Sequence, residues 1–414
     1  MRSEAESLRV ALLTYRGNPY SGGQGVYVRY LSKALVDLGH EVEVISGPPH
    51  PDLYEAVGRT SLPSLDLYNQ ADPFRTPRLD EFHDWIDVLE FASMCTASFP
   101  EPLTFSLRAA RLLRSRPSKP DVVHDNQSLG YGLLSMQRSG LPVVATIHHP
   151  CSIDRDLEVA HARSRKKRAS LRRWYSFTRM QGRVARRLPR ILTVSESALD
   201  DVVEAFSLPR HQVAVVHNGV DTELFSPGER MPTPGRIVTT SSAAGPLKGL
   251  VHLIEAVAKV RTERLADLVV IGKPDKVVRA AIGRFGLEGA VRFESGIGWN
   301  EVVNLYREAE VAVVPSIYEG FSLPAIEAMS SGTPLVATTG GALPEVAGRD
   351  GDSALLVPPG DAGAMATAIG RLLDDPALRS RIGAAGRARV VERFTWRTAA
   401  QATVDQYREA MRRC

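Results

Sequence analysis

Short apolar runs of strand length recur along the chain, each followed by a longer stretch with helical spacing. The first run, RVALLTY at 9–15, passes through a glycine-rich turn into a helical pattern over about 26–38, and EVEVIS at 41–46 follows. Strand, helix and strand in that order predict a parallel βαβ start, because parallel neighbours need a crossover connection. The pattern resumes at 121–124, 143–148, 190–194 and 213–217, and a second set lies at 236–240, 268–271, 291–293, 311–315 and 334–337. VAVVPS at 311–316, for example, is a short, mostly apolar run of strand type. Between the two sets, SPGERMPTPG at 226–235 is a Pro/Gly-rich linker. The expectation is an α/β chain of two domains, 1–226 and 235–395, followed by a final helix from about Trp396. The aromatic, proline-containing stretch 48–102 reads as an insertion with short helices.

Composition narrows this picture without changing it. A chain of 414 residues is too long for one typical core. Its 43% hydrophobic and 24% charged content is ordinary for a soluble protein. Cys95, Cys151 and Cys414 are odd in number and far apart, with no metal spacing and no disulfide framework. With no apolar run of signal-peptide or membrane-span length, a cytoplasmic setting is expected. Charge is uneven. Twelve of the 51 Lys and Arg fall within 161–190, where no Asp or Glu stands, so the remainder is net acidic against 47 Asp and Glu. This segment also carries Trp174, Tyr175 and Phe177. Three uses compete for it: a solvated face, docking at an anionic membrane surface, and capture of an anionic acceptor. No nucleic-acid motif surrounds it, so nucleic acid is not expected as a partner.

The candidate chemistry is densest in YEGFSLPAIEAMSSGTPLVATTGGALPE, at 318–345. Glu319 and Glu327 stand eight apart on a loop that turns into a helix just after an apolar run. Ser322 suits the N-cap and Pro324 the first turn. Free N–H groups at such a terminus bind phosphate, and carboxylates beside it accept hydrogen bonds from hydroxyls. The combination describes a nucleotide-sugar pocket. Gly22 and Gly23 occupy the first strand-to-helix turn, where glycine lets backbone approach a ligand closely. SGGQGV lacks the G-x-G-x-x-G spacing, so a nicotinamide cofactor is not expected. His148, followed by His149 and Pro150, lies beyond the carboxyl end of an apolar strand, where open α/β sheets bind ligands.

The segments YSGGQGVYV, ATIHHP, ILTVSES, VVHNGVDTELFSP, LKG, EGFSLPAIEAM and FTWRTAAQATVDQYREAM, in this order, resemble family 4 of the retaining glycosyltransferases. The family signature is a glutamate, seven residues and a second glutamate. The resemblance implies a GT-B fold: two doubly wound, Rossmann-like domains facing across a cleft, with the C-terminal helix crossing back to the N-terminal domain. It implies a donor held mainly by the C-terminal domain and a hydroxyl acceptor on the N-terminal one. Residue by residue, it assigns His148 to the reacting carbon, with His149 as the alternative. Glu319 goes to the donor sugar and Glu327 to the ribose. Lys248 and the N–H groups of Phe321, Ser322 and Leu323 go to the diphosphate. The glycine pair lies against donor phosphate and acceptor, Asn218 sits in the HNGVD turn near the cleft, and Gly340, Gly341, Pro344 and Glu345 form a turn beside the donor pocket. Five residues before the lysine the family has an arginine, and this chain has Ala243; Lys273 is the candidate replacement. Asp154 and Asp156 match a D-x-D metal motif of a different fold, so no metal or other cofactor is expected, and Asp156 is instead a candidate acceptor contact. The function implied is transfer of a sugar from a nucleoside diphosphate to a hydroxyl with retention, by same-face attack. The alternatives are a same-fold epimerase or phosphorylase, or a non-catalytic sugar-nucleotide sensor.

Overall fold

A computed structural model describes residues 6–18, 23–69, 71–162, 164–229, 231–241 and 245–413. The chain divides into two units. Unit 1 runs to Val194 and adds Ala198–Val216 and the segment from Ala400; unit 2 comprises Ser195–Ser197 and His217–Ala399.

Unit 1 is built on β1 (Arg9–Thr14), β2 (Glu41–Ser46), β3 (Gly58–Ser61), β4 (Val122–Asn126), β5 (Val143–Thr146), β6 (Arg190–Thr193) and β7 (Val213–Val215). They pair in parallel in the order β3-β2-β1-β4-β5-β6-β7. Every residue of β4 and β5 is buried; β5 (VVAT) reads as an apolar or small run, whereas β4 (VVHDN) buries His124, Asp125 and Asn126, each of which is hydrogen-bonded. Leu13, Val123, Val143, Ile147 and Ile191 build the core with Leu113 and Leu133 from the flanking helices. The strand order reverses between β1 and β4.

Unit 2 repeats the plan with β8 (Arg236–Ser241), β9 (Asp267–Gly272), β10 (Val291–Glu294), β11 (Val311–Val314), β12 (Leu335–Thr338) and β13 (Leu355–Val357), all parallel, in the order β10-β9-β8-β11-β12-β13. Its order reverses between β8 and β11. Both units are doubly wound α/β sheets.

Two strands were not expected from the pattern. β3 (GRTS) is polar and lies largely in solvent at a sheet edge, and β13 (LLV) is apolar but has only three residues. The boundary also differs from the one expected at 226. The chain enters unit 2 at His217, because Val220 bridges to Thr395 and the Arg387 guanidinium binds the Phe225 carbonyl at 2.7 Å. The Pro/Gly-rich stretch is strapped down as well: Arg307 Nε donates to the Ser226 carbonyl at 2.6 Å and Gly235 N–H to Glu310 at 2.6 Å. The last helix, Trp396–Arg412, counts with unit 1 from Ala400 onward. There Tyr407 is fully buried, with its hydroxyl 2.7 Å from His124 Nδ1.

Candidate functional site

Open α/β sheets bind ligands beyond the carboxyl ends of the strands, at the point where strand order reverses. In unit 2 that point lies between β8 and β11. The chain leaves β8 through 242–244, so the Ala243 position falls outside the described residues. It re-emerges in a turn at Pro246–Lys248 before the helix Leu250–Arg261. The chain leaves β11 through the Glu319 loop. The two loops are tied: Ile317 N–H donates to the Leu247 carbonyl at 2.7 Å. Lys248 Nζ stands 2.8 Å from Glu319 Oε1, and the Ser316 hydroxyl donates to the same oxygen at 2.7 Å. Glycine allows this closeness. A Cβ at Gly249 (φ 64°) would sit 1.9 Å from the Pro315 carbonyl oxygen, and one at Gly341 (φ 60°) 2.3 Å from that of Glu319.

Ser322 caps the next helix, Leu323–Ser330, in a left-handed conformation (φ 86°), its hydroxyl accepting from Ala325 N–H. Positive φ at a serine is backbone strain of the kind that collects at ligand sites. Pro324 lies in the first turn, and Glu327 sits one turn further in, buried. Burial pushes the Glu327 carboxyl up to about 7, while the Tyr306 hydroxyl, donating at 3.4 Å, holds it down. Thus Lys248, Glu319, Phe321, Ser322, Leu323 and Glu327 gather at one carboxyl edge. Lys273 lies exposed just past the end of β9 on the same edge, with no ion pair among the described residues.

Glu345 lies in this region, and His217, Glu196 and Ser195, which the sequence did not single out, join it. His217 Nε2 donates to Glu345 Oε1 at 2.6 Å, and Glu345 Oε2 accepts from Glu196 N–H at 2.9 Å. The Ser195 hydroxyl donates to the Gly320 carbonyl at 2.6 Å. Asn218 belongs here too, which corrects its expected place in the N-terminal domain: the neighbouring His217 anchors its turn on Glu345. Asn218 is buried, and its Oδ1 has no hydrogen-bond partner among the described residues.

In unit 1 the reversal lies between β1 and β4, and His148 stands beside it, just past β5. Its Nε2 is 2.8 Å from Asn126 Oδ1, and its ring meets Tyr27 edge-on at 4.6 Å. Desolvation pushes the imidazole down to about 4, so it is neutral at pH 7. His149 turns away to Asp154, 3.1 Å off. Asp156 is solvent-exposed and doubly hydrogen-bonded to Arg155, at 2.8 and 2.9 Å, so it is not gathered with His148. The two D-x-D carboxylates therefore diverge. Among the described residues no group of three His, Cys, Asp or Glu side chains has the geometry to hold a metal ion. Gly23 (φ 38°) caps the helix Gln24–Asp37, and Gly22 lies outside the described residues.

The basic segment folds into the helices Arg165–Trp174 and Phe177–Ala185, preceded by Cys151–His161. Residues 164–170 are all exposed, and Leu171 is the one buried residue of its helix. The aromatics do not join the basic face. Trp174 packs on Phe99 at 5.3 Å and Tyr68 at 5.5 Å, and Phe177 on Phe99 at 5.6 Å. Unfilled apolar surface in the insertion draws the rings inward, leaving a purely cationic face. No helix among the described residues is long and apolar enough to cross a membrane.

Comparison with known proteins agrees with this geometry. Residues 21–224 match the model described as Glycosyltransferase Family 4, and 234–375 match Glycosyl transferases group 1. The chain is 50% identical over 409 residues to the MMP alpha-(1→4)-mannosyltransferase of Mycolicibacterium hassiacum, covering 98% of this chain and 99% of that one. Among solved structures, sucrose-phosphate synthase from Thermosynechococcus elongatus superposes with a TM-score of 0.74 at 22% identity, covering 98% of this chain and 99% of that one. HepE from Anabaena, in complex with UDP-glucose, superposes with a TM-score of 0.70 at 17% identity, covering 96% and 99%. Likeness at these identities speaks for the fold.

Proposed function

The chain belongs to glycosyltransferase family 4, and from that premise we propose that it moves a mannosyl group from a nucleoside diphosphate donor to a hydroxyl of a saccharide acceptor, with retention and without an essential metal. The observation that carries this is the cluster in unit 2, where a lysine, a capped helix N-terminus and two carboxylates meet at the strand-order reversal. Lys248 and the N–H groups of Phe321, Ser322 and Leu323 take the diphosphate, and Glu327 accepts from the ribose hydroxyls. Lys273 adds a second cation, and together these groups supply the positive charge that leaving phosphate needs. Glu319 is ion-paired with Lys248 and accepts from Ser316, which suits a sugar-holding acceptor better than a nucleophile. Same-face attack assisted by the leaving phosphate follows. In unit 1, the neutral His148, just past β5, is the residue assigned to the reacting carbon. The mannosyl assignment follows the relative at 50% identity, and a nucleotide-sugar donor is supported by the UDP-glucose complex of a neighbour with the same fold.

The test is incubation of the full chain with guanosine and uridine diphosphate sugars and an α-mannoside acceptor, with the product read by NMR. An α-linked mannosyl product is expected. A β-linked product overturns retention, and transfer of glucose but not mannose overturns the donor assignment.

The cationic helix Arg165–Trp174 supports a peripheral role at anionic lipid. Its Arg165, Lys166, Lys167, Arg168, Arg172 and Arg173 project into solvent, and each basic residue near such a surface contributes about 1 kcal/mol. Cosedimentation with phosphatidylserine vesicles is expected at low salt, and its loss at raised salt. Absence at low salt, or indifference to salt, overturns lipid docking.

A further inference from the structure

The four residues after His124 carry no recognisable motif, yet two of them, Asn126 and Gln127, bind the ring and the backbone of His148, the histidine proposed to serve the reaction. Asn126 ends β4, and Gln127 and Leu129 follow with φ of 58° and 47°, left-handed conformations that side chains rarely adopt. The turn is braced from within: Asp125 accepts from the Ser128 hydroxyl and, at 2.9 Å, from Leu129 N–H. It is braced from outside by Gln181, whose Nε2 donates to the Gln127 carbonyl at 3.2 Å. A strained turn held this firmly fixes where its two side chains point.

Both point at the His148 loop. Gln127 Oε1 accepts the His148 N–H at 2.7 Å and lies 3.4 Å from that of His149, while Gln127 Nε2 donates to the His149 carbonyl at 2.7 Å. One amide thus clamps the backbone of the histidine pair. Asn126 acts on the ring. The Thr14 hydroxyl donates to the Arg16 carbonyl at 2.8 Å, and a carbonyl can only accept. Thr14 Oγ1 is therefore left as an acceptor, and Asn126 Nδ2 donates to it at 3.4 Å. This orients the Asn126 amide, so its Oδ1 faces His148 Nε2 at 2.8 Å. An amide oxygen accepts, so Nε2 must carry the proton. Turning the amide over would set its oxygen against the acceptor face of Thr14 and lose that hydrogen bond, while its NH2 could still donate to an unprotonated Nε2; the Thr14 contact is therefore what selects the tautomer.

We infer that Asn126 and Gln127 are positioning residues that hold His148 as the Nε2–H tautomer, leaving Nδ1 unprotonated to accept a hydrogen bond from a substrate hydroxyl. The inference rests on the proposed role of His148. A ring fixed this way orients a ligand hydroxyl without placing a positive charge beside a developing oxocarbenium. The titratable groups packed against it leave it neutral. Tyr27 meets its ring edge, with a phenol raised well above its ordinary value by burial, and His124, pushed down to about 3 by burial, lies beyond Thr146.

The first test uses the wild-type chain with nitrogen-15-labelled histidine, the His148 signals being identified by their loss in His148→Gln. A neutral ring protonated at Nε2 is expected from about pH 5 to about pH 8; a ring protonated at Nδ1, or a cation at neutral pH, overturns the proposal. The second test is Asn126→Asp, which keeps the shape and sets a carboxylate against Nε2. The opposite charge favours the imidazolium, so the acid limb of kcat is expected to move up by about one pH unit or more, with donor affinity unchanged. An acid limb that stays in place overturns the proposal. Asn126→Leu is expected to lower kcat roughly ten- to a hundred-fold with KM for the donor nearly constant, and unchanged kcat counts against a positioning role. Should the wild type transfer no sugar from any donor, the proposed function fails while the NMR spectrum still decides the tautomer.

Discussion

Replacing Glu327 with alanine is expected to weaken binding of the bare nucleoside diphosphate, and of the full donor equally, roughly ten- to a hundred-fold. Hydrogen bonds to a charged acceptor contribute about 1.5–3 kcal/mol, and the ribose is common to both ligands. Glu319→Ala is expected to spare the nucleotide and lower turnover if, as proposed, Glu319 holds the sugar rather than the nucleotide. Titration calorimetry with the nucleotide checks both, and equal affinity in wild type and both variants removes the assignment. Lys273→Ala in the same series is expected to weaken the donor, and adding Ala243→Arg to restore part of the loss; an unchanged Lys273→Ala leaves Lys248 and the backbone amides as the phosphate ligands. The wild type carries a further signature. Glu327 is pushed up to about 7 by burial, and ribose hydroxyls donate to the ionised form. Above that value the site is ready. Below it, binding must expel a proton, so affinity is expected to fall by up to about tenfold per pH unit, with proton release visible in buffers of different ionisation enthalpy. Glu327→Gln should flatten that dependence.

Arg108→Met is expected to destabilise unit 1 by about 3–5 kcal/mol, a large part of the stability of an ordinary domain. Arg108 is buried, and its guanidinium lies 2.5 Å from both Asp87 Oδ1 and Glu90 Oε2, which are buried as well. Removing the cation leaves two carboxylates uncompensated in a low-dielectric interior. The interaction joins the insertion helix Trp85–Cys95 to the helix Glu101–Ser115, so the damage should appear in the unit 1 transition of a denaturant titration. Adding Glu90→Gln should recover part of it by removing one stranded charge. A midpoint unchanged in Arg108→Met would show that the three groups are far better solvated than their burial implies.

Neither the triad nor the insertion's aromatic packing was legible along the chain. Arg108 looks like any helix-face arginine, and Trp174 beside six basic residues looks like an interface aromatic until Tyr68 and Phe99 arrive from 75 or more positions away. The same holds for the short strands: β3 (GRTS) pairs at the margin of its sheet, where an apolar run is not required, and β13 (LLV) is apolar but only three residues long.

What the sequence determined by itself is local or periodic. Strands covered on both faces are rich in apolar residues, so the runs in β1, β5, β9, β11 and β12 announced parallel sheets. The cap at Ser322, the proline behind it and the spacing from Glu319 to Glu327 announced a loop-to-helix ligand site, because each acts within a few residues of itself. What only the tertiary structure decided depends on partners distant in sequence. Lys248 meets Glu319 across 71 positions, His217 meets Glu345 across 128, and Thr14 orients Asn126 across 112. Strand order brings these groups to one carboxyl edge in each unit. That order depends on how crossovers pack, and no window of sequence contains it.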